Sequence, residues 1–344
     1  MIDSVATLLR RCGGIAAGFQ AVVERKRPDP AWLGESGRVA LAGLGLAEGP
    51  ARVAEHLWRS MGIDARVIPA SSFLSEVPIA RAGESLVVFS QRLSPNARLL
   101  LGRLDEFEAG VLVTTLDDEA CPVLGKWRED GGEVYVLPPD EPEDGLLIRV
   151  QGPAWSTLGV FCLTQDLASH RAHRLPWSID VAELTLRYQN AFACGLDMGL
   201  KHGPQLRAQP MTMVTAGEIN GFSHGLRWKW LEAFWSAVVP VVDVLAFVHG
   251  PFQGVYNKSS TVVFLRTEAE VHRDLGRRLR TILPAEHLVL ELGSTLSPAL
   301  AVLEHDATLN GMICGALKGT DPALHCWPGQ DADGAIYGID RRFR

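Results

Sequence analysis

Short apolar runs alternate with helix-like segments along this chain, and that alternation constrains its fold more than any other feature. Strand-sized runs occupy 38–44, 65–68, 86–89, 111–115 and 133–137, with helical patterns over 50–61 and 97–107. Longer helical patterns fill 154–171 and 180–201. The plan then repeats: strands over 211–215, 244–248, 261–265 and 287–291 alternate with helices over 222–237, 271–282 and 298–317. Unbroken apolar strands joined through helices predict parallel sheets covered on both faces. A length of 344 residues fits two such α/β modules better than one. The expected layout is an N-terminal helix within 1–34, a first module over 35–175, a connecting helix over 176–205, a second module over 206–317 and a tail over 318–344. Residues 2–26 read as one helix, ended by 26–30. Ser297 and Pro298 stand at the cap and first helical position of the last helix.

Composition removes several classes of function. The net charge is −7 and no basic run occurs, so no nucleic-acid partner is expected. Six scattered cysteines include no C-x-x-C pair, which points to reduced thiols rather than a zinc knuckle or disulfide framework. The apolar run 237–248 is cut by Pro240 and Asp243, so no membrane span is expected. With no signal pattern at its start, the chain reads as cytoplasmic.

Several local patterns bear on chemistry. Gly43-Leu44-Gly45 follows a strand, but Glu48 stands where a dinucleotide fingerprint needs glycine, so a plain tight turn is the better reading. Ser90, Gln91, Arg92 and Ser94 lie between a strand end and a helix start. Hydroxyls, backbone N–H groups and Arg92 there suit an anion, while Ser94 with Pro95 also makes an ordinary helix cap. Asp331, Asp333 and His325 match no metal-loop spacing, and no metal or cofactor is expected. Neither G-x-S-x-G nor H-E-x-x-H occurs. In Arg227–Gly250, Lys229 and Glu232 project from one side of a helix broken by Pro240. The strand over 244–248 then delivers His249. A carboxylate and an imidazole on one such unit are the parts of a proton-transfer site, although a surface glutamate and a strand-end histidine give the same pattern.

Four segments together resemble the sugar isomerase (SIS) family, in particular the isomerase half of glucosamine-6-phosphate synthase and the fructosamine deglycases. They are 39–63, Ser90-Gln91 with Ser94-Pro95, Lys229-Trp230-Leu231-Glu232 with His249-Gly250-Pro251, and 316–322, ALKGTDP. The resemblance covers nearly all of 35–344. It implies two tandem modules, each a flavodoxin-like parallel sheet flanked by helices, with the tail closing the active site. It also implies roles. Glu232 would move the proton between C1 and C2, and His249, from the neighbouring subunit, would assist ring opening. Lys318 would be the active-site lysine and Lys229 a substrate contact, with Ser90, Gln91 and Ser94 forming the phosphate loop. The loop departs from the family pattern: it is about one residue shorter, lacks its glycine and carries Arg92 and Leu93. Gly45-Leu46 replaces a frequent Thr-Ser, and Ala246 stands where a glutamate is frequent.

The expected function is therefore isomerisation of a phosphorylated sugar or amino-sugar by an aldose-ketose or Amadori-type 1,2-proton transfer, with the altered loop leaving a carboxylated ligand open as well. A ketosamine deglycase using the same residues is one alternative. A non-catalytic sugar-phosphate sensor is the other; retention of Glu232, His249 and Lys318 argues against it. A homodimer with shared sites is expected, because Trp228, Trp230, Phe234 and Trp235 crowd one short helix and aromatics are enriched at interfaces. The same aromatics could instead fill a core.

Overall fold

The computed structural model describes residues 3–116, 121–139, 146–320, 322, 324–330, 332–337 and 339. In chain order the first elements are α1 (Ser4–Gly14), α2 (Phe19–Glu24), β1 (Arg38–Gly43), α3 (Glu48–Ser60), β2 (Asp64–Val67) and β3 (Glu84–Phe89). Then come α4 (Pro95–Leu101), β4 (Gly110–Thr114), α5 (Pro122–Glu129), β5 (Gly132–Val136) and α6 (Gln151–His170). The five strands run parallel in the order β2-β1-β3-β4-β5. Every residue of β3 and β4 is buried, which is why both read as largely unbroken apolar runs. Glu84 is the charged exception in β3, and its buried carboxylate is satisfied by the Arg66 guanidinium at 2.6 and 2.7 Å.

The chain continues through α7 (Val181–Ala208), β6 (Met211–Thr215), α8 (Ile219–Ser223), α9 (Leu226–Phe234), β7 (Val241–Asp243) and α10 (Val244–Phe247). It ends with α11 (Pro251–Tyr256), β8 (Thr261–Thr267), α12 (Glu270–Ile282), β9 (Leu288–Ser294), α13 (Pro298–Leu317) and α14 (Gly334–Tyr337). Strands β7-β6-β8-β9 form a second parallel sheet. In both sheets the first strand lies inside and the chain then reverses its direction of travel across the sheet. Ligands of open α/β sheets collect at such a reversal, beyond the strand carboxyl ends. The fold is thus the expected α/β one, with two parallel sheets flanked by helices. Among the described residues no helix is long and apolar enough to cross a membrane.

Contacts divide the chain into two compact units: 17–142 with 151–181 and 328–344, and 1–16 with 143–150 and 182–327. In the second of these, α7 and α13 meet along glycines. A β-carbon on Gly195 or Gly199 would overlap the carbonyl oxygens of Thr308 or Met312, and one on Gly311 or Gly315 those of Phe192 or Leu196. Only glycine allows backbones this close.

Four expectations need correction. The helix over 2–26 is broken into α1 and α2 by a 3-10 turn at Ala16–Gly18, where a β-carbon on Gly18 would fall 2.6 Å from the Trp155 ring. The helix over 97–107 stops at Leu101 and resumes only as a 3-10 turn, Leu104–Glu106. The helix over 222–237 is two helices, and α9 ends at Trp235, left-handed at φ 49°, before Pro240 is reached. Finally, 244–248 is not a strand. Asp243 accepts from the N–H groups of Leu245 (2.8 Å) and Ala246 (3.4 Å), which caps α10. Only Val241–Asp243 pairs with β6.

Candidate active site

Helix α9 carries the first two candidate residues. Its Trp230 is buried, which anchors the helix in its unit, and packs tilted against Phe234 on the same helix with ring centroids 4.4 Å apart. Lys229 and Glu232, three residues apart, lie on one side. Lys229 is buried, and its ammonium donates to Asp306 Oδ1 on α13 at 2.5 Å. Glu232 is half-buried. Its Oε2 is shielded from solvent and has no hydrogen-bond partner among the described residues. The backbone N–H of Arg149 donates to the carboxylate, and the charges of Arg149 and Lys229 favour its ionised form. Burial outweighs them and pushes the Glu232 carboxyl up to about 8.

That position has a consequence for stability. A carboxyl that holds its proton more tightly when folded makes the folded state bind more protons than the unfolded one. Stability therefore falls as pH rises from the ordinary carboxyl range, 4.5, through about 8. Glu232→Gln removes this slope. Thermal melts across pH 5–9 should show the variant gaining on the wild type as pH rises, by on the order of 5 °C at pH 9. Parallel profiles for the two proteins would contradict the placement of Glu232.

His249 follows α10 and is exposed, in the turn leading to Gly250 and α11. Lys318 caps the carboxyl end of α13 and is also exposed; its N–H bonds back to Cys314 and Gly315. Among the described residues, neither side chain makes a hydrogen bond or ion pair with Glu232. Asp321 and Asp331 lie outside the described residues, and among those described no group of three His, Cys, Asp or Glu could hold a metal.

Ser90, Gln91, Arg92 and Ser94 form the loop between β3 and α4, at the point where the first sheet reverses order. Leu93, at φ 48° and buried, packs into the core of the first sheet and pins the loop there. Ser90 Oγ accepts from Leu93 N (3.1 Å) and Ser94 Oγ from Ala97 N (3.4 Å), so both hydroxyls keep a proton to donate. The Gln91 carbonyl is held by the hydroxyls of Thr114 (3.0 Å) and Thr115 (2.8 Å). The Gln91 side chain lies against Gly152 at the start of α6, its buried amide nitrogen without a partner among the described residues. Arg92 is half-buried. In the second sheet the loop after β8 is occupied differently: Arg266 bridges Glu291 (3.0 Å) and Glu268 (2.8 Å).

Sequence reasoning missed Arg149 and Asp306. Arg149 lies in an irregular segment without a motif, and Asp306 sits within an apolar helical run. The sequence does hold one signal for the latter: Asp306, Asn310, Cys314 and Lys318 recur every fourth residue, along one face of α13.

No family model matches the chain, and no curated protein matches it. Solved structures do. The C-terminal domain of glucosamine-fructose-6-phosphate aminotransferase from Francisella tularensis superposes with a TM-score of 0.71 at 10% identity, covering 90% of this chain and 94% of that one. Glucosamine-6-phosphate deaminase from Thermotoga maritima gives 0.67 at 15% identity, covering 92% and 96%. Tagatose-6-phosphate ketose/aldose isomerase from Escherichia coli gives 0.60 at 14% identity, covering 94% and 98%. At such identities the likeness establishes a shared fold.

Proposed function

We propose that this chain, which has the two-sheet fold of the sugar isomerases, is itself an isomerase of a sugar or amino-sugar bearing an anionic group. The observation that carries the reading is the Glu232 carboxylate. Among the described residues it is shielded and unpaired at Oε2, and burial pushes it up to about 8. A group so placed takes and returns protons readily, whereas a structural carboxylate would be paired.

In the proposed reaction His249 assists ring opening and Lys318 binds or polarises the carbonyl. Glu232 removes the proton from C2 and returns it to C1, through an enediol or enamine, so no atom is gained or lost. Product analysis tests this directly: isomerisation conserves mass, whereas a deglycase would release an amine. An unaltered substrate, bound but never converted, would favour a sensor.

The loop at Ser90, Gln91, Arg92 and Ser94 is assigned the anionic group of the substrate. Its hydroxyl protons and its arginine support that, since a guanidinium binds phosphate or carboxylate through two hydrogen bonds. Arg92→Ala should weaken an anionic ligand about 10–100-fold in calorimetry and leave its neutral analogue unchanged. Equal losses for both ligands, or none, would remove the assignment.

A homodimer with His249 completing the partner's site belongs to the same reading. Trp230 is core, but Trp235, Val238 and Leu245 are 45%, 70% and 63% exposed, in the same stretch as His249. Such apolar exposure suits a two-fold contact between copies. Mixed Glu232→Gln and His249→Ala subunits, each inactive alone, should regain activity on exchange. No recovery after confirmed exchange would place each site within one chain.

A further inference from the structure

We propose that Asp306 is a positioning residue for the candidate base: it fixes the Lys229 ammonium, and with it helix α9, beside the Glu232 carboxylate. The inference rests on the reading of Glu232 as that base, and it changes the role of Lys229. Resemblance makes Lys229 a substrate contact. Here the side chain is buried and its ammonium is committed to Asp306 at 2.5 Å.

Asp306 is itself fully engaged. Its Oδ2 accepts from Tyr188 Oη on α7 (2.9 Å) and from Asn310 Nδ2 one turn along α13 (3.0 Å). Asn310 Nδ2 also reaches Tyr188 Oη at 2.9 Å. Burial, then the Asp306 charge, push the Tyr188 phenol well up, so it remains a donor. The cluster therefore ties α7, α9 and α13 together through one carboxylate. The thiols of Cys12 on α1 and Cys314 on α13 approach to 3.8 Å, and burial keeps Cys12 protonated. Cys12 therefore contributes no competing charge.

Among the described residues two cations act on Glu232: Arg149 in the 146–150 segment and Lys229 on its own helix. Around Lys229 the facing groups are Asp306, Cys12 and, through Asp306, Tyr188. Arginine stays charged unaided. A buried lysine without a partner instead gives up its proton, because desolvation penalises the charged form. Removing Asp306 should thus silence Lys229 and leave Glu232 with Arg149 alone.

The test follows protonation of Glu232 without any substrate, so it can fail independently of the isomerase reading. The infrared carbonyl band of protonated Glu232, assigned by its disappearance in Glu232→Gln, is followed against pH. Asp306→Asn and Lys229→Met should each raise the midpoint, by about one pH unit. The double variant Asp306→Asn/Lys229→Met should match either single one, because both break the same link. An unchanged or lowered midpoint in Asp306→Asn, or additive effects in the double variant, would overturn the proposal and leave Asp306 a structural ion-pair member. Should Asp306→Asn fail to fold, the double variant, which leaves no unpaired buried charge, supplies the midpoint. A midpoint there equal to the wild type would be equally decisive against it.

Discussion

Glu232→Gln is expected to lower turnover about 10²–10⁴-fold while ligand affinity stays within a few-fold of the wild type. The substitution preserves shape and removes only the capacity to take and return a proton. Because Oε2 makes no hydrogen bond among the described residues, the amide breaks no polar contact on that side. The backbone N–H of Arg149 can still donate to the amide oxygen. The loss should therefore fall on kcat and not on KM, the pattern of an interaction made only in the transition state. Near-normal turnover on an identified substrate would show that another group is the base. A matching rise in KM would mean that Glu232 binds ground-state substrate instead.

Gly199→Val should destabilise the protein by at least about 3 kcal/mol, enough to prevent recovery of folded chain at ordinary growth temperatures. The β-carbon would meet the Met312 carbonyl and the backbone of Gly315 and Ala316, none of which can move aside as a side chain could. Gly125→Ala is the matched control. It lies within α5, where an added β-carbon meets nothing within 4 Å among the described residues, so the lower entropy of the unfolded chain should stabilise the protein by about 0.5–1 kcal/mol. Denaturant melts of the two variants measure both. A folded Gly199→Val protein with an unchanged midpoint would contradict the close approach of α7 and α13.

The inner strands β1, β3, β4, β6 and β8 were legible because they are buried on both faces. Met211–Thr215 has the expected limits, and β1, β3 and β4 differ from theirs by one or two residues. The same signal misled at 244–248, since a buried strand and a short apolar helix share it and only the Asp243 cap separates them. Helix α5 escaped notice because its apolar pattern is short and Gly125 stands in the middle of it. The glycines at 195, 199 and 203 and at 311 and 315 stand four apart in the sequence, yet their meaning depends on the facing helix. The pairing of Lys229 with Asp306, 77 residues away, could not be read from local spacing at all. The resemblance makes Lys229 a substrate contact and carries no sign of its buried pairing with Asp306.

Solvent deuterium tests the proposed 1,2-proton transfer most directly. The protein is incubated in D₂O with a panel of aldose, ketose and amino-sugar phosphates and ketosamines, and the products are followed by mass spectrometry and NMR. The expected result is an isomer of one panel member carrying deuterium at C1 or C2, with label incorporation lost in Glu232→Gln. Release of free amine without an isomer, or tight binding of a panel member with neither conversion nor exchange, would contradict the proton transfer.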